Sequence, residues 1–225
     1  MNVLVMGATG LTGRLVVEKL LGRSEITSVV VPVRRSLGLD NPKLVEQVID
    51  FDHLEAHAGI FEVDALVCCL GTTIKKAGSQ EAFRKVDYDY ALTAATLAHI
   101  GGAQTMILMS AVGASSGSSV FYSRVKGELE DAVRGLGFPC LAIYHPSLLL
   151  GDRKEQRAGE ALGMAMMPVA NRALLGPMRK YRAIEAETVA AAMVNDLVKL
   201  TIGAGSGSVV KVREYGDIVR LAKRG

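Results

Sequence analysis

Residues 4–13 read LVMGATGLTG: an apolar run stops at Gly7, and glycines return at Gly10 and Gly13 before the helical pattern Leu15, Val16, Leu20, Leu21 sets in. Strand, glycine turn and helix in that order predict a cradle for phosphate. Gly7 permits the tight turn, Gly10 lets the backbone approach a pyrophosphate, and Gly13 lets the helix pack closely on the strand. The first turn of the helix then offers its free N–H groups to the anion. The spacing is GxxGxxG, not the commoner GxGxxG, so the position between a first strand and a first helix carries the reading. The plainer alternative is a tight turn that binds nothing.

Working outward, the composition suits one α/β domain spanning 1–225. Of the 225 residues, 49% are hydrophobic and 22% charged, enough to bury a substantial core. The net charge is only +3, and no basic block exceeds the pairs Arg34/Arg35 and Lys75/Lys76, which excludes a nucleic-acid track and favours small anionic ligands. The apolar stretch before Gly7 is one strand long, with neither a basic leader nor a cleavage site, so no signal peptide, no membrane partner and a cytoplasmic location are expected. Cys68, Cys69 and Cys140 lack zinc-ligand spacing and read as reduced core thiols. His53 and His57 could share a helical face, but no third ligand stands beside them, so no metal is expected.

Apolar runs near 2–6, 27–33, 44–50, 64–70, 104–110 and 140–144 read as buried strands, and 11–22, 78–100, 119–136 and 186–201 carry helical periodicity. The alternation predicts a doubly wound parallel sheet, a Rossmann fold, with helices on both faces and ligands along the strand C-terminal ends. Residues 111–120 (AVGASSGSSV) read as a flexible loop beside that edge. Residues 146–185 and 203–225 are expected to form a small C-terminal region covering the substrate.

Candidate ligand contacts fall at successive strand ends. After the second strand, where an NAD site often places a carboxylate on the ribose, the chain has Arg34 and Arg35, two guanidiniums able to hold a 2′-phosphate. The cofactor expected is therefore NADP(H). Asp50 and Phe51 end the third strand as adenine neighbours, with a capping role equally open for Asp50 or Asp52. The fourth ends in CCLGTT, where Leu70 and Gly71 let backbone lie close to the dinucleotide.

Ser110 closes the fifth strand, and Tyr122 and Lys126 follow in FYSRVK, the chain's one YxxxK. At i and i+4 they share a helical face, so the ammonium can stabilise a tyrosinate. The phenol can then exchange a proton with a carbonyl or alcohol oxygen that Ser110 positions.

With these motifs the chain resembles the short-chain dehydrogenase/reductase superfamily in its atypical branch. CCLGTT, KAGSQEAFRKVDYDY, LMSAVGA, YSRVKGELE and GDRKEQRAGE are similar to the NADPH-binding Tat-interacting-protein family of oxidoreductase-like proteins. The resemblance implies cofactor contacts from Thr9, Gly10, Leu11 and Thr12, from Arg34 and Arg35, and from Leu70 and Gly71. It implies Tyr122 as proton donor or acceptor, Lys126 as its partner and a ribose ligand, and Leu149 and Arg157 as late contacts. It also leaves room for a homodimer or a protein partner.

Two positions depart from the pattern. Asp87 stands where the superfamily often has a relay Asn, and His145-Pro146-Ser147 replaces an Arg-Pro-Gly turn. His145 could reach substrate or be hydrogen-bonded at the strand end. The Met-rich 163–168 (GMAMMP) could line an apolar pocket or fill core. The region after 146 is short for a nucleotide-sugar domain, which disfavours epimerase chemistry. The expectation is hydride transfer between nicotinamide and a small carbonyl or alcohol, with an NADPH-binding regulatory protein as the alternative.

Overall fold

The structure, a computed structural model, describes residues 1–151, 174–202 and 208–223. Strand β1 (Asn2–Met6) runs into helix α1 (Leu11–Leu21), then β2 (Ser28–Val33), β3 (Leu44–Val48), a kinked 3-10 stretch (Phe51–Phe61) and β4 (Ala65–Cys68). Short helices α2 (Ile74–Ala77) and α3 (Gln80–Arg84) lead through a π-helical turn (Lys85–Asp89) into α4 (Tyr90–Ile100). β5 (Thr105–Met109), α5 (Phe121–Leu136) and β6 (Cys140–Tyr144) follow. β7 (Leu149–Leu150) pairs with β8 (Ile184–Glu185), and α6 (Ala186–Ile202), β9 (Val209–Arg213) and α7 (Tyr215–Ala222) complete the described chain.

Seven strands form one parallel sheet in the order β3-β2-β1-β4-β5-β6-β9. Because side chains alternate across a strand, its two faces collect different residues. Val3, Val5, Ala65, Val67, Ile107, Ala142 and Tyr144 pack with α1, α6 and α7, whereas Leu4, Met6, Leu66, Cys68, Met106, Leu108, Leu141 and Ile143 pack with the 3-10 stretch, α4 and α5. This is the doubly wound Rossmann architecture. Both faces are covered, which is why these strands read as continuous apolar runs.

The order reverses between β1 and β4, and ligands of such sheets bind beyond the strand C-termini at that reversal. Here the two strand ends touch. Gly7 has φ +80°, and a Cβ on it would sit 2.6 Å from the Cys69 carbonyl oxygen.

Val209–Arg213 had no strand assigned from the sequence and lay in the stretch 203–225 expected over the substrate. It pairs instead with β6 as the sheet's edge strand. Tertiary polar contacts hold it there: Arg213 donates two 2.8 Å hydrogen bonds to the buried Asp196 of α6, and the Tyr144 hydroxyl lies 3.1 Å from the same carboxylate. Arg157 and the Met-rich 163–168 lie outside the described residues.

Candidate active site

The first helix begins without a side-chain cap: Gly10 is its N-cap, and no acidic residue stands in its first turn. The N–H groups of Leu11, Thr12 and Gly13 therefore carry the helix's positive end with no internal partner. A Cβ on Gly13 would lie 2.2 Å from the Gly7 carbonyl oxygen, so helix and turn touch through backbone alone. The Thr12 hydroxyl is buried and has no hydrogen-bond partner among the described residues. An uncapped helix start on a glycine-bounded turn fits a pyrophosphate. A Cβ on Gly151 would lie 3.3 Å from the Leu11 side chain, which brings the segment containing Leu149 to the same loop.

Around this cradle, Arg34 and Arg35 are exposed just past β2, and neither guanidinium has a partner among the described residues. Arg14, by contrast, is engaged with Glu18 at 3.0 Å. Asp50 caps the 3-10 stretch, accepting from the Asp52 N–H at 3.0 Å, which fulfils the capping alternative for its side chain. Asp52 pairs with Lys85 at 2.6 Å. Phe51 stands edge-on to Tyr90, ring centroids 5.8 Å apart. His53 and His57 sit at non-helical kinks of the same stretch and share no regular helical face.

Tyr122, Lys126, Glu130 and Arg134 recur every fourth residue along α5 and so share one face. The Tyr122 ring packs on Phe83 of α3 at 5.5 Å between centroids. Lys126 is buried, and its Nζ lies 2.7 Å from Asp87 Oδ1, itself fully buried. The other Asp87 oxygen accepts from the Thr72 N–H at 2.8 Å. Burial opposes the charge on Lys126, but the Asp87 carboxylate, with a contribution from Tyr122, outweighs it and holds the ammonium pKa above the ordinary lysine value. Gly71 lies over this pair: a Cβ there would be 3.7 Å from Asp87 and 3.8 Å from Lys126.

The helical periodicity read over 78–100 is realised as continuous helix over 80–100, with a π turn inside it that carries Asp87. Such a turn inserts an extra residue into the helical repeat, and these insertions frequently occur at functional sites. The result is that Asp87, where an Asn relay was in question, forms an ion pair with Lys126 instead.

Ser110 is buried at the end of β5 and donates to Glu130 Oε1 at 2.5 Å; His145 Nε2 reaches the same oxygen at 2.8 Å. His145 is thus the hydrogen-bonded strand-end histidine. Glu130 escaped the sequence reading, although its place two turns beyond Tyr122 and one beyond Lys126 was a usable signal. Cys68 and Cys69 are buried free thiols, as is Cys140. Burial pushes the Cys68 thiol up to about 11, which removes its thiolate at neutral pH.

The loop 111–120 is tied to α5. Ser115 N–H bonds to the Ser123 carbonyl at 3.0 Å, and a Cβ on Gly127 would stand 2.2 Å from the Ser115 carbonyl carbon. Gly127→Ala must push this backbone away. We expect a loss of about 1–3 kcal/mol, roughly 2–12 °C in Tm by thermal melting; an unchanged Tm would mean the loop is not anchored there.

Fold, glycine cradle and Tyr122-Lys126 helix together define an atypical short-chain dehydrogenase/reductase type of Rossmann protein. The chain belongs to the HTATIP2 family: it is 36% identical to Protein HTATIP2 of Rattus norvegicus over 99% of this chain and 89% of that protein. It is also 33% identical to mitochondrial Protein FMP52 of Candida albicans over 69% of this chain and 70% of that one. An Aspergillus niger relative of the same name is 29% identical over 99% and 98%. No family model matches the sequence.

Among solved structures, UDP-glucose 4-epimerase of Thermotoga maritima with UDP-glucose superposes with a TM-score of 0.65 at 18% identity, covering 97% of this chain and 88% of that one. MoeE5 in complex with UDP-glucose and NAD gives 0.68 at 15%, covering 99% and 81%. These likenesses extend to the fold. The fungal relatives are mitochondrial by name, which overturns the cytoplasmic location expected from the sequence. A short apolar start tests only for a secretory leader or a span, and other address signals differ from both. Among the described residues no helix is long and apolar enough to cross a membrane.

Proposed function

We propose that this chain is an NADP(H)-dependent oxidoreductase acting on a small carbonyl or alcohol, with Tyr122 as proton donor or acceptor. The observation that carries the reading is the buried Lys126–Asp87 pair one turn from Tyr122 and beneath Gly71, at the sheet edge that also holds the glycine cradle. A charged ammonium one helical turn from the phenol places Tyr122 to exchange a proton with a reacting oxygen. The residues proposed to hold the cofactor are Gly7, Thr9, Gly10, Leu11, Thr12 and Gly13 around the pyrophosphate, and Arg34 and Arg35 at the 2′-phosphate. Asp50 and Phe51 would border the adenine, and Leu70, Gly71, Tyr122, Lys126 and Leu149 the rest of the dinucleotide. When bound, the cofactor supplies or accepts the hydride. Ser110 positions the substrate oxygen, and Lys126 holds the ribose as well as the charge beside Tyr122.

NADPH oxidation against a panel of small carbonyls tests turnover. Binding without turnover would make the chain an NADPH-binding regulatory protein instead. Cofactor choice has its own test. Wild type should bind NADPH more tightly than NADH, and the double substitution Arg34→Ala with Arg35→Ala should weaken NADPH by roughly tenfold to a few hundredfold, as two exposed charged hydrogen bonds allow. NADH should change little. Calorimetric titration at two salt concentrations measures this; equal wild-type affinities would remove the 2′-phosphate from this arginine pair.

A further inference from the structure

Ser110, Glu130 and His145 meet at one carboxylate oxygen, Glu130 Oε1, at 2.5 Å from Ser110 Oγ and 2.8 Å from His145 Nε2. The other oxygen is 3.5 Å from Arg134 Nη2. The Glu130 side chain is only 5% exposed and that of His145 15%. A carboxylate this far from water is costly to keep, and no step in the hydride reading uses it. Its effect falls on Ser110. A serine hydroxyl carries one hydrogen. Given to Glu130, that hydrogen is withheld from a substrate carbonyl, and Ser110 presents only lone pairs.

We propose that Glu130, held by His145, is a positioning residue that fixes Ser110 as a hydrogen-bond acceptor, so that the site binds the hydroxyl form of its substrate in preference to the carbonyl form. The inference rests on Ser110 being the group that positions substrate. With Glu130 ionised, Ser110 accepts from a substrate hydroxyl. With Glu130 protonated, the carboxyl O–H donates to Ser110 and the serine hydrogen swings toward a carbonyl. Among the described residues, Arg134 on the same helix is the other charged group against Glu130, and it also reaches Asp131 at 3.7 Å. The Arg213 carbonyl accepts from the His145 N–H at 2.9 Å, and its guanidinium is engaged by Asp196.

The overall equilibrium constrains the ratio of forward to reverse kcat/KM whatever a residue does, so binding is the discriminating quantity. Two non-reacting complexes serve: cyclohexanol with the NADPH-loaded protein and cyclohexanone with the NADP+-loaded protein, each titrated by calorimetry. Wild type should favour cyclohexanol. Glu130→Leu, which frees the serine hydrogen, should move the affinity ratio about tenfold toward cyclohexanone, one hydrogen bond's worth. Retained NADPH affinity reports that the variant has folded, and Glu130→Gln, whose amide oxygen still accepts from the serine, should stay close to wild type. An unchanged ratio in Glu130→Leu overturns the proposal.

Failure of the hydride reading shows separately, as no NADPH oxidation with any carbonyl, while the affinity ratio of the two non-reacting complexes still decides the role of Glu130.

Discussion

Asp87→Ala should destabilise the protein by about 3–5 kcal/mol, because it leaves Lys126 as a buried cation without its partner. The two groups are 2.7 Å apart, with side chains 4% and 0% exposed, so water cannot replace the lost carboxylate. The pH dependence gives the cause away. In the wild type the Lys126 pKa is raised, so its contribution is complete below the unfolded lysine pKa and is lost as pH rises through the higher folded value. In the variant the Asp87 contribution is gone, so burial outweighs what Tyr122 adds and drops the pKa below the unfolded value. Stability of Asp87→Ala should therefore climb with pH between its lowered folded pKa and the unfolded lysine pKa, where wild type stays flat. Urea denaturation at a series of pH values measures both curves. A further Lys126→Met should recover most of the loss, since an apolar pair of similar volume suits the site. A cost below about 1 kcal/mol for Asp87→Ala at neutral pH would show that the pair carries little of the local stability.

Tyr122→Phe should lower any carbonyl reduction by about 10²–10⁴-fold while leaving NADPH affinity nearly unchanged. The substitution removes the titrating oxygen and keeps the ring, whose packing on Phe83 is a carbon contact. Steady-state kinetics and a cofactor titration on the same preparation separate the two effects. Loss of both activity and affinity would mean that the hydroxyl holds the cofactor; turnover equal to wild type would remove Tyr122 from proton transfer.

How much could be read in advance differs by element. The cradle was legible because its requirements are local: Gly7 needs φ +80°, and Gly13 cannot carry a Cβ against the Gly7 carbonyl. The strand runs were legible because a sheet buried on both faces leaves no polar alternation to confuse them. β9 was not, since VVKVR is a short edge strand with three of its five residues exposed and no buried-face pattern, and its place depends on Arg213 finding Asp196. The π turn was equally hidden. Nothing in KVDYD differs from ordinary helix, and the extra residue is accommodated where Asp87 meets Lys126 and the Thr72 N–H.

The sequence by itself determined the parallel sheet, the glycine turn, and Tyr122 and Lys126 on one helical face, because each follows from spacing along the chain and the periods of strand and helix. Only the tertiary structure decided which charges meet. Asp87 finds Lys126 across 39 positions, and Glu130 joins Ser110 to His145 across three elements. Such pairings form where packing excludes water, and a buried charge must then take whichever partner the fold brings within reach.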